Sequence, residues 1–387
     1  MRSISSPLDG FSSPFGARRL GGGVSPFTPA SLFAGGAEGW LADGLDLNTL
    51  FEGSNGTTPA TAANDPVGFR IDESEGAGYS DDEFTGIGSE NVTNGSFRSG
   101  DLTGWSDISL GTGVVTPSVG FVELFRENPS NNGTISQTLT LVLNSYYVYS
   151  YVVSGSTAFV RDINNDGSAK VAGGYSGIIR RDAAGSDSIV FACSSNGGST
   201  VITGVSVQKI PGNHATQATT TFKPKYQTAG LTYDGSDDRL VSTLNPTTSG
   251  SIAARFNGTT ASRVIAGSQS ASDGRCFLAL DASGKLAAGI GAQSTSTITG
   301  GADIRSADHV GVVTWDGSTV KLYLDGTEIY SAAQSGAVNT TVPIYEGALN
   351  ANGTASAFWT GSISDSLIIN RVLTPTEITK LSTSWSS

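Results

Sequence analysis

The segment 314–330 constrains the fold more than any other part of the chain. It reads TWDGSTVKLYLDGTEIY, with apolar residues at every second position from Val320 to Leu324. Because the side chains of a strand point to alternate faces, this pattern predicts a strand that buries one face. The Asp-Gly pairs at 316–317 and 325–326 suit the positive φ angles of tight hairpin turns. Such a strand needs a second sheet to cover its apolar face, so the segment predicts a β-sandwich.

The composition extends this prediction to the whole chain. The 387 residues include 51 glycines, and charged residues make up only 14% of the total. This composition is typical of short strands joined by many turns, and it disfavours long helices. The net charge of −12 is the opposite of the basic surface that a nucleic-acid-binding protein needs. We therefore predict an all-β protein of two or three domains that does not bind nucleic acid.

Two further features concern the membrane and the cysteines. The first residues, MRSISSPLDGFSSPFGARRL, lack the apolar core of a signal peptide, and no run is long enough to span a bilayer. Cys193 and Cys276 fit no metal-binding or redox spacing. We expect neither Sec export nor membrane insertion, and we expect both thiols to be free and buried.

Residues 1–30 are rich in Gly, Pro and Ser and carry isolated aromatic residues, among them Phe11 and Phe15. Such a segment cannot build a core of its own. It is either a disordered tail or an extended docking arm that places Phe11 and Phe15 on a partner, since paired aromatic residues are costly to leave in water. The string SPLDGFSSPFG also resembles a short N-terminal tag of tail-tip and fibre proteins of bacteriophages that infect alphaproteobacteria. That resemblance implies docking to other virion proteins.

Residues 31–77 contain the phrases SLFAGGAEGW, DLNTLFEGSNGTTP and NDPVGFRIDES. These resemble the opening of a laminin-G-like (concanavalin-A-like) lectin module that is common in phage virion proteins. In that family the opening runs on into a phrase like NHATQ, which occurs here far downstream at 213–217. The resemblance implies that residues 31–77 and 210–387 form one lectin-like module, interrupted by an insertion. Insertions are tolerated at exposed turns whose two ends lie close together.

The intervening chain divides into an acidic, Gly-rich linker at 78–90 and an inserted domain at 91–209. The domain opens with NVTNGSFRSGDLTGWS and closes with VITGVSVQKI, and it resembles carbohydrate-binding jelly rolls of the galactose-binding-like type. The sequence YYVYSYVV predicts a strand with a tyrosine stripe, Tyr147, Tyr149 and Tyr151, on one face. A tyrosine stripe is either a sugar platform or part of a core, and the family alignment favours the core for these residues and for Trp105.

The chain ends with GSISDSLIINRVLTPTEITKL, which matches the closing phrase of the lectin-like family. Thr374 can cap a helix, Pro375 suits its first position, and Glu377 completes a Thr-x-x-Glu capping box. The helix would turn Ile378 and Leu381 inward. The predicted architecture is therefore two β-sandwiches (jelly rolls) with an extended N-terminal arm and one short C-terminal helix.

The sequence contains no recognisable catalytic motif. The two histidines, His214 and His309, lie in no metal-binding spacing, and the chain has neither a nucleophile elbow nor a phosphate-binding glycine loop. A glycosidase needs two carboxylates at a fixed separation, and the sequence alone pairs none. Residues 162–167 satisfy the first half of a calcium loop, but Gly173 stands where the loop needs an acidic ligand. We expect no enzyme activity, metal or cofactor, with calcium at 162–167 as the alternative.

The resemblances imply a structural protein on the surface of a bacteriophage particle, in a tail fibre, a tail tip or a head fibre. They also imply a homo-oligomer, for which a trimer is one arrangement, and contact with glycans on the host surface. Loops at one end of a sandwich are the natural binding surface. The candidates near predicted turns are Asp237, Asp238, Arg239 and Trp359, each of which is otherwise a solvated turn or core residue. An enzyme that degrades host polysaccharide and a purely structural decoration protein are the alternatives.

Overall fold

The computed structural model describes residues 27–54, 56, 58–76, 78–80, 83–85, 87–143, 145–161, 167–181, 187–271, 274–292 and 297–386. The predicted docking residues Phe11 and Phe15 and the first five positions of the candidate calcium loop lie outside these ranges. Within them, the regular structure is β-strand apart from one C-terminal α-helix and short 3₁₀ turns, so the all-β prediction is confirmed. No helix in this described part of the chain has the length and apolar character needed to cross a membrane.

The strands are numbered in chain order. The first are β1 (Gly39–Asp43), β2 (Leu50–Phe51), β3 (Phe69–Arg70), β4 (Gly78–Ser80) and β5 (Glu83–Thr85). Those of the predicted inserted domain are β6 (Ser106–Asp107), β7 (Val114–Ser118), β8 (Phe121–Asn128), β9 (Asn131–Asn132), β10 (Thr134–Thr138), β11 (Tyr146–Gly155), β12 (Ala158–Arg161), β13 (Gly167–Lys170), β14 (Gly173–Arg180), β15 (Ser188–Cys193) and β16 (Gly198–Ile210).

The remaining strands belong to the final part of the chain. They are β17 (Ala215–Thr216), β18 (Lys225–Gln227), β19 (Gly230–Asp234), β20 (Leu240–Val241), β21 (Gly250–Gly258), β22 (Arg263–Gln269), β23 (Gly274–Leu280), β24 (Leu286–Ala292), β25 (Thr297–Gly300), β26 (His309–Trp315), β27 (Thr319–Leu324), β28 (Thr327–Ala333), β29 (Tyr345–Glu346), β30 (Leu349–Ala351), β31 (Thr354–Ser356) and β32 (Thr360–Ile369). The helix is α1 (Pro375–Trp385), and the 3₁₀ turns are Pro29–Phe33, Leu47–Thr49 and Thr220–Phe222.

The lectin-like module consists of two sheets. One has the order β18-β19-β32-β21-β26-β27-β28 with β1 also on β32, and the other has the order β2-β3-β17-β20-β29-β22-β23-β24-β25. β1 pairs antiparallel with β32, so that Gly39 lies opposite Ile369. β3 pairs antiparallel with β17, so that Arg70 lies opposite Ala215. Strands from before and after residues 91–209 therefore share both sheets. The exact domain boundaries stay a prediction.

The hairpin at 319–333 forms as its sequence indicates. Leu324 pairs with Thr327 across a two-residue turn, in which Asp325 has a φ of 49° and Gly326 a φ of 81°. Val320 is buried in the core between the sheets. The opposite face differs from the prediction, because Tyr323 is also buried, in a second cluster formed with α1. The helix covers a strand face that the alternating pattern assigns to solvent.

Helix α1 has the predicted capping box. The Glu377 backbone N–H donates to Thr374 Oγ1 at 3.3 Å, and the Thr374 N–H donates to a Glu377 carboxylate oxygen at 2.8 Å. Ile378 and Leu381 are fully buried against the sheet, as expected. The two cysteines, Cys193 and Cys276, are free and buried, which confirms that part of the prediction.

An ion pair lies at the centre of the lectin-like module. Arg70 Nη1 donates to both carboxylate oxygens of Glu346, at 2.6 and 2.8 Å, and both side chains are fully buried. Tyr233 and Ser366 donate their hydroxyls to the same carboxylate. Burial and the Glu346 charge raise the pKa of Tyr233 well above its ordinary value, so its hydroxyl stays protonated and donates. Glu346 therefore has donors from three parts of the sandwich.

Residues 91–209 form two sheets of their own, β13-β12-β15-β10-β6 and β14-β11-β16-β8-β7, with β9 on β8. Their shared core is rich in aromatic residues. Trp105 packs on Phe191 with ring centroids 6.0 Å apart, and Tyr151 meets Phe191 edge-on at 5.2 Å. Tyr147 and Tyr151 are buried in this core and Tyr149 packs partly buried against it, so the expected core role of the tyrosine stripe is confirmed.

The two ends of the inserted chain meet at Asp72. Its carboxylate accepts backbone N–H groups from Leu41 at 2.9 Å, Ser74 at 2.9 Å and Asn213 at 2.6 Å. Burial raises the pKa of Asp72 to about 6, while the three donors act in the opposite direction. One buried side chain therefore joins residues that lie 141 positions apart in sequence.

His214 lies beside Asp72 at the contact between the two sandwiches. Its Nδ1 accepts the Asp72 backbone N–H at 3.0 Å, so Nε2 carries the proton and donates to the Ile210 carbonyl at 3.2 Å. The imidazole packs against Phe69 of the lectin-like module and Tyr146 of the inserted domain, with centroids 5.4 and 5.3 Å away. Burial lowers the pKa of His214 to about 4, so the ring is neutral at pH 7.

Candidate functional site

The predicted glycan-binding residues Asp237, Asp238 and Arg239 lie together in the turn after β19. The carboxylates of Asp234, Asp237 and Asp238 approach within 4.8 Å of one another and could hold a cation. Hydrogen bonds within the turn account for the same arrangement without one, because Asp234 accepts the Ser236 N–H at 2.8 Å and donates its own N–H to Asp238 at 3.0 Å. Burial raises the pKa of Asp238 to about 7. This carboxyl group is therefore partly protonated at neutral pH.

Arg239 is fixed to the same turn. Its guanidinium donates to the Asp237 carbonyl at 2.8 Å and lies over the Phe222 ring, 4.4 Å from the centroid. Trp359 differs, because its indole is fully buried in the sandwich core and meets Phe256 edge-on at 5.5 Å. A ring without an exposed face cannot stack on a sugar. Trp359 therefore has the position of a core residue, the alternative that the sequence leaves open for it.

A groove of about 370 Å³ crosses the outer face of the second sheet of the lectin-like module. On β23, the residues Cys276, Leu278 and Leu280 face the sandwich core, so the alternate residues Phe277 and Ala279 face outward. These two side chains are only 9% and 5% exposed, and they form the apolar floor together with other lining residues, which are Val264, Ala287, Leu349 and Ala357. We call this feature the sheet groove.

The glycines beside Phe277 explain how its ring lies flat in the sheet groove. Gly267 and Gly289 are its cross-strand neighbours on β22 and β24. A Cβ at Gly267 would lie 2.2 Å from the Phe277 Cβ, and one at Gly289 would lie 2.4 Å from its ring. Any larger residue at either position would displace the aromatic ring, so the groove depends on both glycines.

Arginine side chains line the two ends of the sheet groove. Arg275 lies at the start of β23, with Nε donating to Gln269 at 3.1 Å and one Nη donating to Thr297 at 3.2 Å. Its guanidinium carbon is 5.9 Å from the centroid of Phe277. Arg263 lies opposite Leu280 near the other end of β23. An apolar floor between polar groups is a common arrangement in ligand-binding grooves.

A second concave surface lies on the outer face of the other sheet. This cleft has a volume of about 600 Å³ and is lined by Asp43, Glu73, Arg255, Asp365 and Trp385, among others. Asp365 pairs with Asp43 on one side and with Arg255 on the other, so the three side chains form a row across β1, β32 and β21. We call it the acidic cleft.

The carboxyl groups of the acidic cleft have shifted pKa values. Glu73 accepts the Asp43 backbone N–H at 3.1 Å, and burial followed by the nearby Asp43 charge raises the pKa of Glu73 to about 7. Burial and the same charge raise the pKa of Asp365 to about 6. A carboxyl group that is partly protonated near neutral pH has the property required of a general acid. The sequence pairs none of these residues, because only strand pairing over more than three hundred positions brings Asp43 and Asp365 together.

Comparison with known proteins agrees with the fold of the final part of the chain. Residues 234–379 match the family model of the concanavalin A-like lectin/glucanases superfamily. Among solved structures, the CBM40 module of a Ruminococcus gnavus sialidase is 16% identical over 35% of this chain and 84% of that one, with a TM-score of 0.31. A pentraxin from Limulus polyphemus is 15% identical over 39% and 80%, with a TM-score of 0.33.

Domain 4 of an extracellular arabinanase from Geobacillus stearothermophilus is 18% identical over 39% of this chain and 75% of that one, with a TM-score of 0.31. No curated protein matches the sequence. Residues 234–379 thus form a lectin-like module similar to the concanavalin A-like lectins and glucanases.

Proposed function

We propose that this chain is a non-enzymatic structural protein of a bacteriophage particle, and that its lectin-like module binds glycans on the host surface. The observation that carries the binding part is the sheet groove. It combines an apolar floor with hydrogen-bonding side chains at its edges, whereas the turn at Asp237 and Asp238 uses its polar groups for its own hydrogen bonds. Sugars have both apolar C–H faces and hydroxyl groups, so they complement a groove of this kind.

The experiment compares the two candidate surfaces directly. Binding of the purified chain to host surface polysaccharide is measured by titration calorimetry for the unchanged protein, Arg275→Ala and Asp237→Asn. We expect Arg275→Ala to weaken binding by about tenfold or more, because it removes charged donors at the groove, and Asp237→Asn to have little effect. The opposite ranking would transfer the binding site to the acidic turn.

The virion part of the proposal is supported by the resemblance of the string SPLDGFSSPFG, at residues 6–16, to an N-terminal tag of phage tail-tip and fibre proteins. Deleting residues 2–29 should abolish incorporation into particles while both sandwiches remain folded, as judged by circular dichroism. Incorporation of the shortened chain at normal levels would contradict the docking arm.

Light scattering of the full chain tests the expected homo-oligomer, and a monomer would contradict it.

A hydrolase is the second candidate, because the acidic cleft brings carboxyl groups together on one sheet face. Glycoside hydrolysis uses one protonated and one ionised carboxyl group flanking the bond that breaks. Incubation with host polysaccharide, followed by an assay for new reducing ends, distinguishes the two candidates. We expect no release; release that is lost in Glu73→Gln would replace the binding proposal with an enzymatic one.

A further inference from the structure

The charge of the sheet groove is opposite to that of the chain as a whole. The protein carries a net charge of −12, yet among the residues that the structure describes, the charged ones that line this groove are Arg263, Arg275 and Asp281. The negative member already has donors, since Asp281 accepts the backbone N–H groups of Ser283 at 2.7 Å and Lys285 at 2.9 Å and the Thr299 hydroxyl at 2.7 Å. These bonds lower the pKa of Asp281, although its partial burial acts in the opposite direction. The described lining therefore carries an excess of positive charge, which favours anionic ligands.

Arg275 is held in place before any ligand arrives. The bonds to Gln269 and Thr297 use its Nε and one Nη, which fixes the plane of the guanidinium beside Phe277. Arginine presents donors in a planar fork that matches a carboxylate, and a fork already oriented loses little entropy when it binds one. This end of the groove is therefore suited to an anionic group attached to an otherwise apolar ring face.

Arg263 lies near the other end of the groove but is oriented differently. It is opposite Leu280, five residues along β23 from Arg275, which corresponds to about 16 Å at the usual rise per residue. Because Leu280 faces the sandwich core and directly opposite residues share a face of the sheet, the Arg263 side chain starts from the core side of the sheet. Its Nε is also buried, so a ligand in the groove does not reach it. Arg275 is therefore the guanidinium that such a ligand meets.

We infer that the sheet groove selects acidic glycans, that is, oligosaccharides whose sugars carry carboxylate groups, with Arg275 as the residue that determines this selectivity. The inference rests on the proposed glycan binding and specifies its ligand class. Neutral glycans would keep the contact with the apolar lining of the groove but would leave the Arg275 guanidinium without an anionic partner. Selectivity for charge is therefore expected even where the sugar rings are identical.

The test uses a glycan array on which oligosaccharides of uronic and sialic acids are paired with their carboxyl-reduced, neutral forms. We expect the full chain to prefer at least one acidic member about tenfold or more over its reduced counterpart, with a preference that weakens at high salt. Arg275→Gln should reduce that preference. Arg275→Lys keeps the charge without the fork, so its preference should fall between those of the unchanged protein and Arg275→Gln. Arg98→Gln, an exposed arginine in the inserted domain, is the matched control and should bind as the unchanged protein does.

The outcomes separate this inference from the function on which it rests. Equal binding of acidic and reduced forms would overturn the charge selectivity and leave glycan binding standing. Binding of no glycan at all would overturn both. A preference that survives in Arg275→Gln, with its melting temperature unchanged, would show that another surface determines the charge selectivity.

Discussion

Both sandwiches have apolar cores, but they differ in what those cores also contain. The core of the lectin-like module encloses a buried ion pair, Arg70 with Glu346, whereas that of the inserted domain centres on a cluster of aromatic rings around Phe191. The difference follows from how each core is assembled along the chain. Arg70 comes from the segment before the insertion and Glu346 from the segment after it, 276 positions apart, whereas the inserted domain is contiguous.

This contrast suggests what each core can tolerate. An apolar core gains free energy from almost any well-filled arrangement, so small changes in shape cost little. A buried ion pair gives little net stability over apolar residues of the same size, but it is strongly unfavourable when one partner is missing. The stability of the lectin-like module thus depends on the correct pairing of Arg70 with Glu346, which come from two distant segments of the chain. Four sets of variants can sharpen or break this comparison.

The largest effect is expected for Glu346→Gln, which leaves the Arg70 charge buried without a counter-ion. The free energy of unfolding of the lectin-like module should fall by about 3–5 kcal/mol. Urea unfolding followed by tryptophan fluorescence measures this change in a Trp105→Phe background, because the other four tryptophans all lie in the lectin-like module. The double variant Arg70→Met with Glu346→Leu should regain much of the loss, since it removes both charges. A single variant that loses less than 1 kcal/mol would contradict the proposed dependence on the pair.

The next effect concerns His214, which lies where the two cores meet. Its pKa is about 4 in the folded protein and about 6.5 in the unfolded chain, so the unfolded chain binds a proton that the folded protein rejects. Stability from this group is therefore lost as the pH falls from 6.5 to 4, by about 3 kcal/mol in total. His214→Gln should be less stable than the unchanged protein at pH 7, and the gap should shrink or reverse by pH 4. Thermal unfolding of both proteins across this range measures the gap.

Asp72 provides the internal control, because its pKa is raised in the folded protein whereas that of His214 is lowered. Its folded pKa of about 6 lies above the ordinary value of 3.8, so the folded protein holds the extra proton. The contribution of Asp72 to stability therefore decreases as the pH rises from about 4 to 6. Asp72→Asn should gain stability relative to the unchanged protein over that interval. Two variants with the same direction of pH dependence would show that the neighbouring residues titrate as one unit.

The sequence predicts those parts of this fold that depend on local pattern. The hairpin turn at Asp325 and Gly326, the capping box at Thr374 and the buried Tyr151 each follow from spacing within a few residues, or from a family resemblance that includes them. Trp359 shows the limit. A position beside a predicted turn does not reveal whether its ring points inward, because that depends on the register between distant strands.

The candidate site depends on the same kind of long-range information. Arg275 and Phe277 occupy alternate positions of a predictable strand, so their shared face is visible in the sequence. Whether that face lies in the core or outside depends on the neighbouring strands, in particular on Gly267 and Gly289 beneath the ring. The row of Asp43, Arg255 and Asp365 in the acidic cleft has no local signal at all.

The smallest effect isolates a single hydroxyl in each sandwich. Tyr233→Phe removes a donor from the buried Glu346 carboxylate and should cost about 1–3 kcal/mol, because the carboxylate cannot replace it with water. Tyr175→Phe removes an exposed hydrogen bond to the Val171 carbonyl and should change stability by about 0.5 kcal/mol or less, since water takes the place of the hydroxyl. Urea unfolding monitored for each sandwich separately measures both values. Equal costs would mean that water reaches the Glu346 carboxylate, and the distinction between a core that encloses an ion pair and one that does not would then lose its physical basis.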